Sequence, residues 1–436
     1  MERLSRAPAS PRALTVLQVA YPFAPVSVDA VGGAEQILAA LDAALVGRGH
    51  LSLVVACAGS RVRGTLFEVP AVPGVIDARA RAAIHLAVRA AIDRALAAHA
   101  VDVIHLHGID FTEYLPAAAP LIVTLHLPLA WYPPGALDAR ARYVCVSESQ
   151  RRTCPAAAQV IENGVAISAG RVRSRGAGYA LALGRICPEK NFDLALDAAS
   201  AAGLPLFLGG RVFGYPDHLR YFAEVLTPRL RSPHRFLGPL SSARKQRLLA
   251  GADCLLVPSR APETSSLVAM EALAAGTPII ACPSGALTEI VEPGKTGFFA
   301  RDAGEMATAI SAARELSRPG CRTAAEARFS AERMIEEYLA VYRDFQGRTS
   351  RQPSAPEIAT SEIETVEALA PIAEEWIDLW KRAPEATLFQ RPEWLLAWCR
   401  HLASAPLAFV TVRRRGRLVA LLPLVREPNR ALALAG

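Results

Sequence analysis

Lysine is almost missing from this chain. Of its 48 basic residues only Lys190, Lys245, Lys295 and Lys381 are lysines, and the rest are arginines. A formal charge of +7 assembled in this way reads as a compositional preference. It argues only weakly for nucleic acid, and an anionic lipid surface or an anionic substrate would be served as well. Other absences exclude more. No run approaches the ~20 consecutive apolar residues of a membrane span, and the N-terminal MERLSRAPASPR lacks the apolar centre of a secretory signal. The cysteines Cys57, Cys145, Cys154, Cys187, Cys254, Cys282, Cys321 and Cys399 are scattered without a C-x-x-C pair. That pattern favours reduced core thiols in a cytosolic protein over a disulfide framework or a zinc module. No G-x-G-x-x-G follows an apolar run, which counts against a dinucleotide-dependent dehydrogenase. PGKT, at 293–296, has Glu289 where a phosphate-binding loop needs its first glycine, so it reads as a turn.

What is present is a doubled α/β pattern. LTVLQVA from Leu14, LSLVVA, VDVIHL, LIVTLH and YVCVS are nearly unbroken apolar strands, separated by helical spacing in GAEQILAALDAALVGRG and from Ala78 to Ala100. Strands apolar on both faces belong to a parallel sheet covered by helices on either side. After the basic connector SAGRVRSRGAG the pattern restarts with YALALG, LPLFLGG, HRFLGP, DCLLVP and TPIIA, with helices at Asn191–Ala202, Pro216–Leu226, Ser241–Ala250 and Ser266–Ala275. The expected fold class is therefore α/β, with two Rossmann-like domains facing a cleft, residues 1–170 and 171–345. The helix AERMIEEYLAVYRDF either seals the second domain or crosses back to the first. Residues 346–361, rich in Ser, Thr and Pro, read as a linker. Residues 362–436 form a small α+β segment with two Trp-bearing helices and a hairpin turning at Arg413–Gly416.

The densest chemistry lies in PSRAPETSSLVAMEALAAGTPIIACPSGALTEIVEPGKTGFF. An apolar strand stops at Pro258, Glu263 lies in the following loop, and Glu271 lies one to two turns into a helix. Ser265 or Ser266 is the expected N-cap, and Gly276 with Pro278 is the expected stop. The helix start offers free amides and a positive dipole end to an anion. Carboxylates beside an anion site make sense for a ligand that carries hydroxyls as well as phosphates, such as a sugar nucleotide. Taken alone, the two acids fit a capped helix with solvated carboxylates equally well.

In GRICPEKN, Arg185 and Lys190 can converge on one anion at a strand-to-helix turn. VGGAE places Gly32 and Gly33 at the first helix start, where backbone can approach a ligand. His126 ends a strand on the cleft side, where it is either a packing residue or a group that touches the reacting centre. His105 and His107 end another strand, but no third ligand of suitable spacing accompanies them, so no metal is assigned.

In order, VGGAEQILAAL, DVIHLHG, TLHLPL, YVCVSES, VIENGV, GRICPEKN, FLGPLS, ADCLLVPS, PETSSLVAMEALAAGTPII and LTEIVEPGKTGFFA resemble the family-four (group 1) retaining glycosyltransferases of the GT-B type, over roughly Leu14 to Phe345. The resemblance implies that Arg185 and Lys190 hold the diphosphate of a nucleoside diphosphate sugar and that Glu263 contacts the transferred sugar. It places Glu271 on the nucleotide ribose, the amides near Ser265, Ser266 and Leu267 on sugar and phosphates, Gly33 by the diphosphate, and His126 near donor sugar and acceptor. It implies a metal-independent hexosyltransferase of polysaccharide or glycoconjugate synthesis. Its partners would be a nucleotide sugar donor and a glycan or lipid-linked acceptor, with no cofactor and no nucleic acid. The location would be cytoplasmic, with peripheral contact to the inner membrane open to an arginine-rich protein. Ser265-Ser266 departs from the Phe-Gly common in the family. Two other readings of the same scaffold are a sugar-nucleotide epimerase and a non-catalytic nucleotide-binding protein. LFQRPEWLLAWCRHL and the hairpin after it resemble the start of a GNAT-like acyltransferase associated with polysaccharide synthesis. Ending at Gly436, before the half that would bind acyl-coenzyme A, this segment is expected to transfer no acyl group; a protein-docking appendage is the alternative.

Overall fold

The computed structural model describes residues 12–72, 76–116, 120–137, 140–349, 358–383, 387–401, 406–414, 416–426 and 432–434. They fall into two compact units that divide after Gly347. The first unit contains two parallel sheets. The seven strands of the first are β1 (Thr15–Val19), β2 (Leu51–Cys57), β3 (Thr65–Val69), β4 (Val103–Leu106), β5 (Leu121–Leu125), β6 (Ala141–Cys145) and β7 (Ala158–Val160), in the order β3-β2-β1-β4-β5-β6-β7. The six strands of the second are β8 (Ala180–Leu183), β9 (Leu206–Gly209), β10 (Arg235–Gly238), β11 (Cys254–Val257), β12 (Ile279–Ala281) and β13 (Gly297–Phe299), in the order β10-β9-β8-β11-β12-β13. Every pairing in both sheets is parallel.

Side-chain alternation along β1 explains why helices cover both faces. Leu17 and Val19 enter the core beneath the helix Ala78–Ala98, while Val16 enters a second core on the opposite face. That second core is completed from far along the chain. Met334, Ile335, Tyr338, Leu339 and Tyr342 of the helix Ala331–Thr349 pack against Leu14, Val16, Ile37, Leu41, Val103, Ile122 and Val144. The helix therefore crosses back to the first domain. β3, β7 and β13 lie where sequence reading expected no strand. β7 and β13 have three residues each, and β3, TLFEV, alternates around an acid, so none shows the unbroken apolar run that marks a central strand.

The second unit stands by itself as an antiparallel sheet of β14 (Ile358–Ile363), β15 (Phe409–Arg414) and β16 (Arg417–Leu422), with the short pair β17 (Leu424–Arg426) and β18 (Leu432–Leu434). β14 begins inside the stretch read as a linker, and the preceding helix runs four residues into it. Arg415, within the expected hairpin turn, lies outside the described residues. The core of this unit is built on Trp376, whose ring meets Phe409 edge-on at 6.0 Å and whose Nε1–H donates to the Gln390 carbonyl at 3.1 Å.

Candidate active site

An open parallel sheet binds ligands beyond the carboxyl ends of its strands, where the strand order reverses. The reversal falls between β1 and β4 in the first sheet and between β8 and β11 in the second. Segments 20–32, 107–110, 184–191 and 258–266 leave those four ends, and they carry most of the residues singled out above.

After β8, Gly184 (φ +154°) turns the chain, and the Lys190 side chain lies beside it: a Cβ there would stand 3.3 Å from Phe192 Cζ and 3.8 Å from Lys190 Cε. A 3₁₀ turn, Pro188–Lys190, closes at Asn191 in the left-handed region (φ 54°), which asparagine tolerates better than most residues. The turn brings Lys190 Nζ to 2.5 Å from Glu263 Oε1, and the Ser259 hydroxyl donates to the same oxygen at 2.5 Å. Behind Glu263 stands Gly285 (φ +56°). The Ala286 N–H donates to the Glu263 carbonyl at 2.7 Å, and a Cβ at Gly285 would fall 2.2 Å from that oxygen.

The next residues reach the first domain. Thr264 Oγ1 donates to the His126 carbonyl at 2.8 Å, and Asn163 Nδ2 donates to Ser265 Oγ at 3.0 Å. Ser266 holds the N-cap position of the helix Leu267–Ala274, but its hydroxyl makes no capping bond. The expected N-cap serine is therefore in place as Ser266, but the first amides of the helix receive no bond from it, while Ser265 accepts from Asn163. One turn further, Glu271 Oε1 lies 2.5 Å from Lys245 Nζ. Burial raises the Glu271 carboxyl above its ordinary range, with the Lys245 charge opposing. Its other oxygen is buried without a hydrogen-bond partner.

Facing this loop is the start of the helix Gly33–Gly47. A Cβ on Gly33 would meet Leu267 Cδ1 at 3.2 Å, so the first residues of two helices, one from each domain, touch. Glu35 folds back over Gly32, where a Cβ would fall 1.9 Å from Glu35 Oε2. Burial raises its carboxyl, and the charge of Arg185 acts on it from the second domain. Arg185 itself is exposed and pairs with neither Glu263 nor Glu271.

His126 Nε2 is 3.0 Å from His107 Nδ1, the two rings being stacked with centroids 5.3 Å apart. Burial holds the His126 imidazole down to about 4 and His107 and His105 well below the usual histidine range. His105 is a packing residue: its nitrogens meet Tyr342 Oη and Thr124 Oγ1, each at 2.7 Å. Among the described residues, one trio of side chains is arranged to ligate a metal, Cys187, Glu189 and His218. A cavity lined by Asp197, Ser200, Arg229, Arg231 and His234 contains none of the site residues.

Lys245, Glu35, Asn163 and Gly285 went unnoticed in the sequence. For Lys245 a signal existed, because the scarcity of lysine that drew attention to Lys190 applies to it equally. Asn163 and Gly285 matter only through contacts with residues 102 and 22 positions away, which no local pattern reveals.

Residues 31–169 match the family model Glycosyltransferase Family 4, and residues 177–315 match Glycosyl transferases group 1. Over 177 residues the chain is 35% identical to D-inositol 3-phosphate glycosyltransferase of Mycobacterium tuberculosis, covering 37% of this chain and 36% of the relative. The chain thus spans a little over a third of the length of the curated relatives it matches. AviGT4, a glycosyltransferase involved in avilamycin A biosynthesis, superposes with a TM-score of 0.58 at 25% identity, over 77% of this chain and 98% of its own. Sucrose-phosphate synthase from Thermosynechococcus elongatus gives 0.65 at 18% identity, over 77% and 100%. Anabaena HepE in complex with UDP and glucose gives 0.58 at 19% identity, over 76% and 99%. The last two establish the two-domain GT-B fold.

Proposed function

We propose, for a chain that carries Family 4 and group 1 glycosyltransferase domains on a GT-B fold, that it moves a hexose from a nucleoside diphosphate sugar to a hydroxyl acceptor, with retention at the anomeric carbon. The observation that carries this reading is the state of the Glu271 carboxylate. Lys245 holds one oxygen, and the other is buried and lacks a donor. Native structures rarely leave such an oxygen unsatisfied, and a ribose hydroxyl is a donor of the right size and polarity. HepE, of the same fold, is described in complex with UDP and glucose, which supports a nucleotide sugar as the donor.

In the transfer, negative charge builds on the departing diphosphate. Lys190, Arg185 and the uncapped amides at Leu267 supply positive charge and N–H donors for it, fixed before the reaction begins. Glu263, released from Lys190 when the diphosphate competes for the ammonium, accepts hydrogen bonds from the sugar hydroxyls. Gly33 allows the diphosphate close to the first domain, and Ser265 and Ser266 line the sugar pocket. His126, neutral at working pH, lies on the acceptor side. No metal or organic cofactor takes part in this step.

The acceptor is a glycan or a lipid-linked sugar, reached in the cytoplasm with peripheral contact to the inner membrane. No helix among the described residues is long and apolar enough to cross a membrane. The hairpin and Trp-bearing helices of the second unit support reading it as the opening part of a GNAT-like acyltransferase.

The test is a panel of uridine, guanosine and adenosine diphosphate sugars offered to the full chain. A cognate donor is expected to raise Tm, because it binds the native state alone. In the presence of an acceptor it should yield a product whose anomeric proton coupling matches that of the donor. Inverted product, or donor turnover to an isomer without any acceptor, would overturn the proposal.

A further inference from the structure

Cys187, Glu189 and His218 take no part in the transfer described above, although the first two belong to the turn that presents Lys190. A sulfur, a carboxylate oxygen and an imidazole nitrogen from these three all lie within 4.8 Å of one another. Cys187 is buried at the N-cap position of the turn Pro188–Lys190, and Glu189 sits within it, anchored by the Arg260 N–H donating to its carbonyl at 2.9 Å. His218 arrives from a separate segment, Pro216–Arg220, where Tyr215 meets its ring edge-on at 5.1 Å. Its Nδ1 is buried without a hydrogen-bond partner. Natural structures seldom leave a ring nitrogen in that condition. Here the imidazole that carries the unpaired nitrogen stands in a group that also contains a thiol and a carboxylate.

We propose that Cys187, Glu189 and His218 bind a divalent cation of the zinc class, with water in the fourth position. Thiolate and imidazole together select zinc over magnesium or calcium, which prefer all-oxygen shells. Zinc bonds of about 2.3 Å to sulfur and about 2.0–2.2 Å to nitrogen and oxygen put tetrahedral donors roughly 3.3–3.7 Å apart. The trio must therefore draw in by at most about 1.5 Å to meet that geometry, and Glu189, which is exposed, has room to move. In the metal-free form the Cys187 thiol donates to the Arg185 carbonyl at 3.6 Å. The cation takes the place of that proton, which leaves for solvent as the thiolate coordinates. The bound ion would tie the 187–190 turn to the 216–220 segment and so fix the point from which Lys190 emerges. It is a positioning site, distinct from the transfer chemistry, and its occupancy is read with no sugar donor present.

The experiment uses the full chain, freed of any affinity tag and stripped with chelator, titrated with Zn²⁺ in competition with a chromogenic chelator and separately with Co²⁺. One equivalent of zinc, a rise in Tm on adding it, and a cobalt spectrum with tetrahedral visible bands and a thiolate charge-transfer band are expected. The charge-transfer band should vanish in Cys187→Ser, survive in Cys154→Ser, and require roughly tenfold or more cobalt in His218→Ala. A wild-type cobalt complex without thiolate absorption, zinc binding unchanged in His218→Ala, or less than a tenth of an equivalent of zinc at micromolar concentration would each overturn the proposal. Should Cys187→Ser fail to fold, the wild-type cobalt spectrum and the His218→Ala titration decide the matter.

Discussion

Lys245 and Glu271, 26 residues apart, meet at 2.5 Å with side chains only 15% and 17% exposed. Removing one member of a largely buried pair strands the other. Lys245→Met should therefore destabilise the chain by about 1–3 kcal/mol, somewhat below the range for fully buried pairs. The pH dependence identifies the cause. A carboxyl whose folded pKa is raised contributes stability below its unfolded pKa and loses it as pH rises through the folded value. With Lys245 gone the Glu271 carboxyl rises further, so the deficit of Lys245→Met should shrink as pH falls from 8 to 5. Lys245→Met with Glu271→Gln should recover stability while nucleotide affinity stays low. Chemical denaturation across that range checks both, and a deficit independent of pH would discard the explanation.

Lys190 differs in role, since its ammonium is shared between Glu263 and the incoming diphosphate. Lys190→Met should lower kcat by ~10²–10³, the usual cost of one preorganised electrostatic group. Tm should fall as well, because Lys190 and Glu263 are only 23% and 12% exposed and the carboxylate loses its partner, so kcat is taken per folded molecule, with circular dichroism at the assay temperature unchanged. Initial rates with the cognate donor settle this, and normal turnover would remove Lys190 from the mechanism.

These two pairs show how far the residues alone could be read. The alternation of strands and helices in both domains and the helix that carries Glu271 follow from apolar runs and glycine stops, which are local. Lys190 was legible because its turn lies directly between a strand and a helix. Lys245 lies on a different helix, in a stretch whose pattern is that of an ordinary amphipathic surface, and only the packing of that helix against Leu267–Ala274 brings it to Glu271. The helix start shows the same limit: Ser266 takes the N-cap position without a capping bond, and Asn163, from the other domain, claims the hydroxyl of Ser265, the alternative cap. Local propensity has no access to that competitor.

Gly285 and Gly294 form a matched pair of left-handed glycines, φ +56° and +77°. Alanine at either costs roughly 1 kcal/mol or more in backbone strain. At Gly294 the new methyl meets nothing within 4 Å, whereas at Gly285 it falls 2.2 Å from the Glu263 carbonyl oxygen. Gly294→Ala should lower Tm slightly and leave transfer intact. Gly285→Ala must displace Glu263, so transfer should fall at least tenfold beyond any loss of folded protein. Measuring kcat and folded fraction side by side separates the two effects, and equal activity in both variants would show that Glu263 needs no fixed backbone.

His126, depressed to about 4 by burial, supplies a second pH signature with the opposite sense to that of Glu271. A group with a depressed folded pKa stabilises the native state above its unfolded pKa, near 6.5 for histidine, and that contribution disappears as pH falls toward 4. At 1.36 kcal/mol per unit, His126 alone should cost about 2 kcal/mol between pH 6.5 and 5. His105 and His107, also depressed, steepen the same limb. His126→Asn should flatten part of that slope, as measured by urea unfolding at pH 7 and pH 5. The consequence for activity follows from the same burial. An imidazole that remains neutral to about 4 cannot produce a break near 6.5 in the free-enzyme kcat/KM profile. A break at 6.5 that vanished in His126→Asn would mean that the ring is solvated in the working enzyme and that the cleft opens there far more than its contacts with Thr264 and His107 imply.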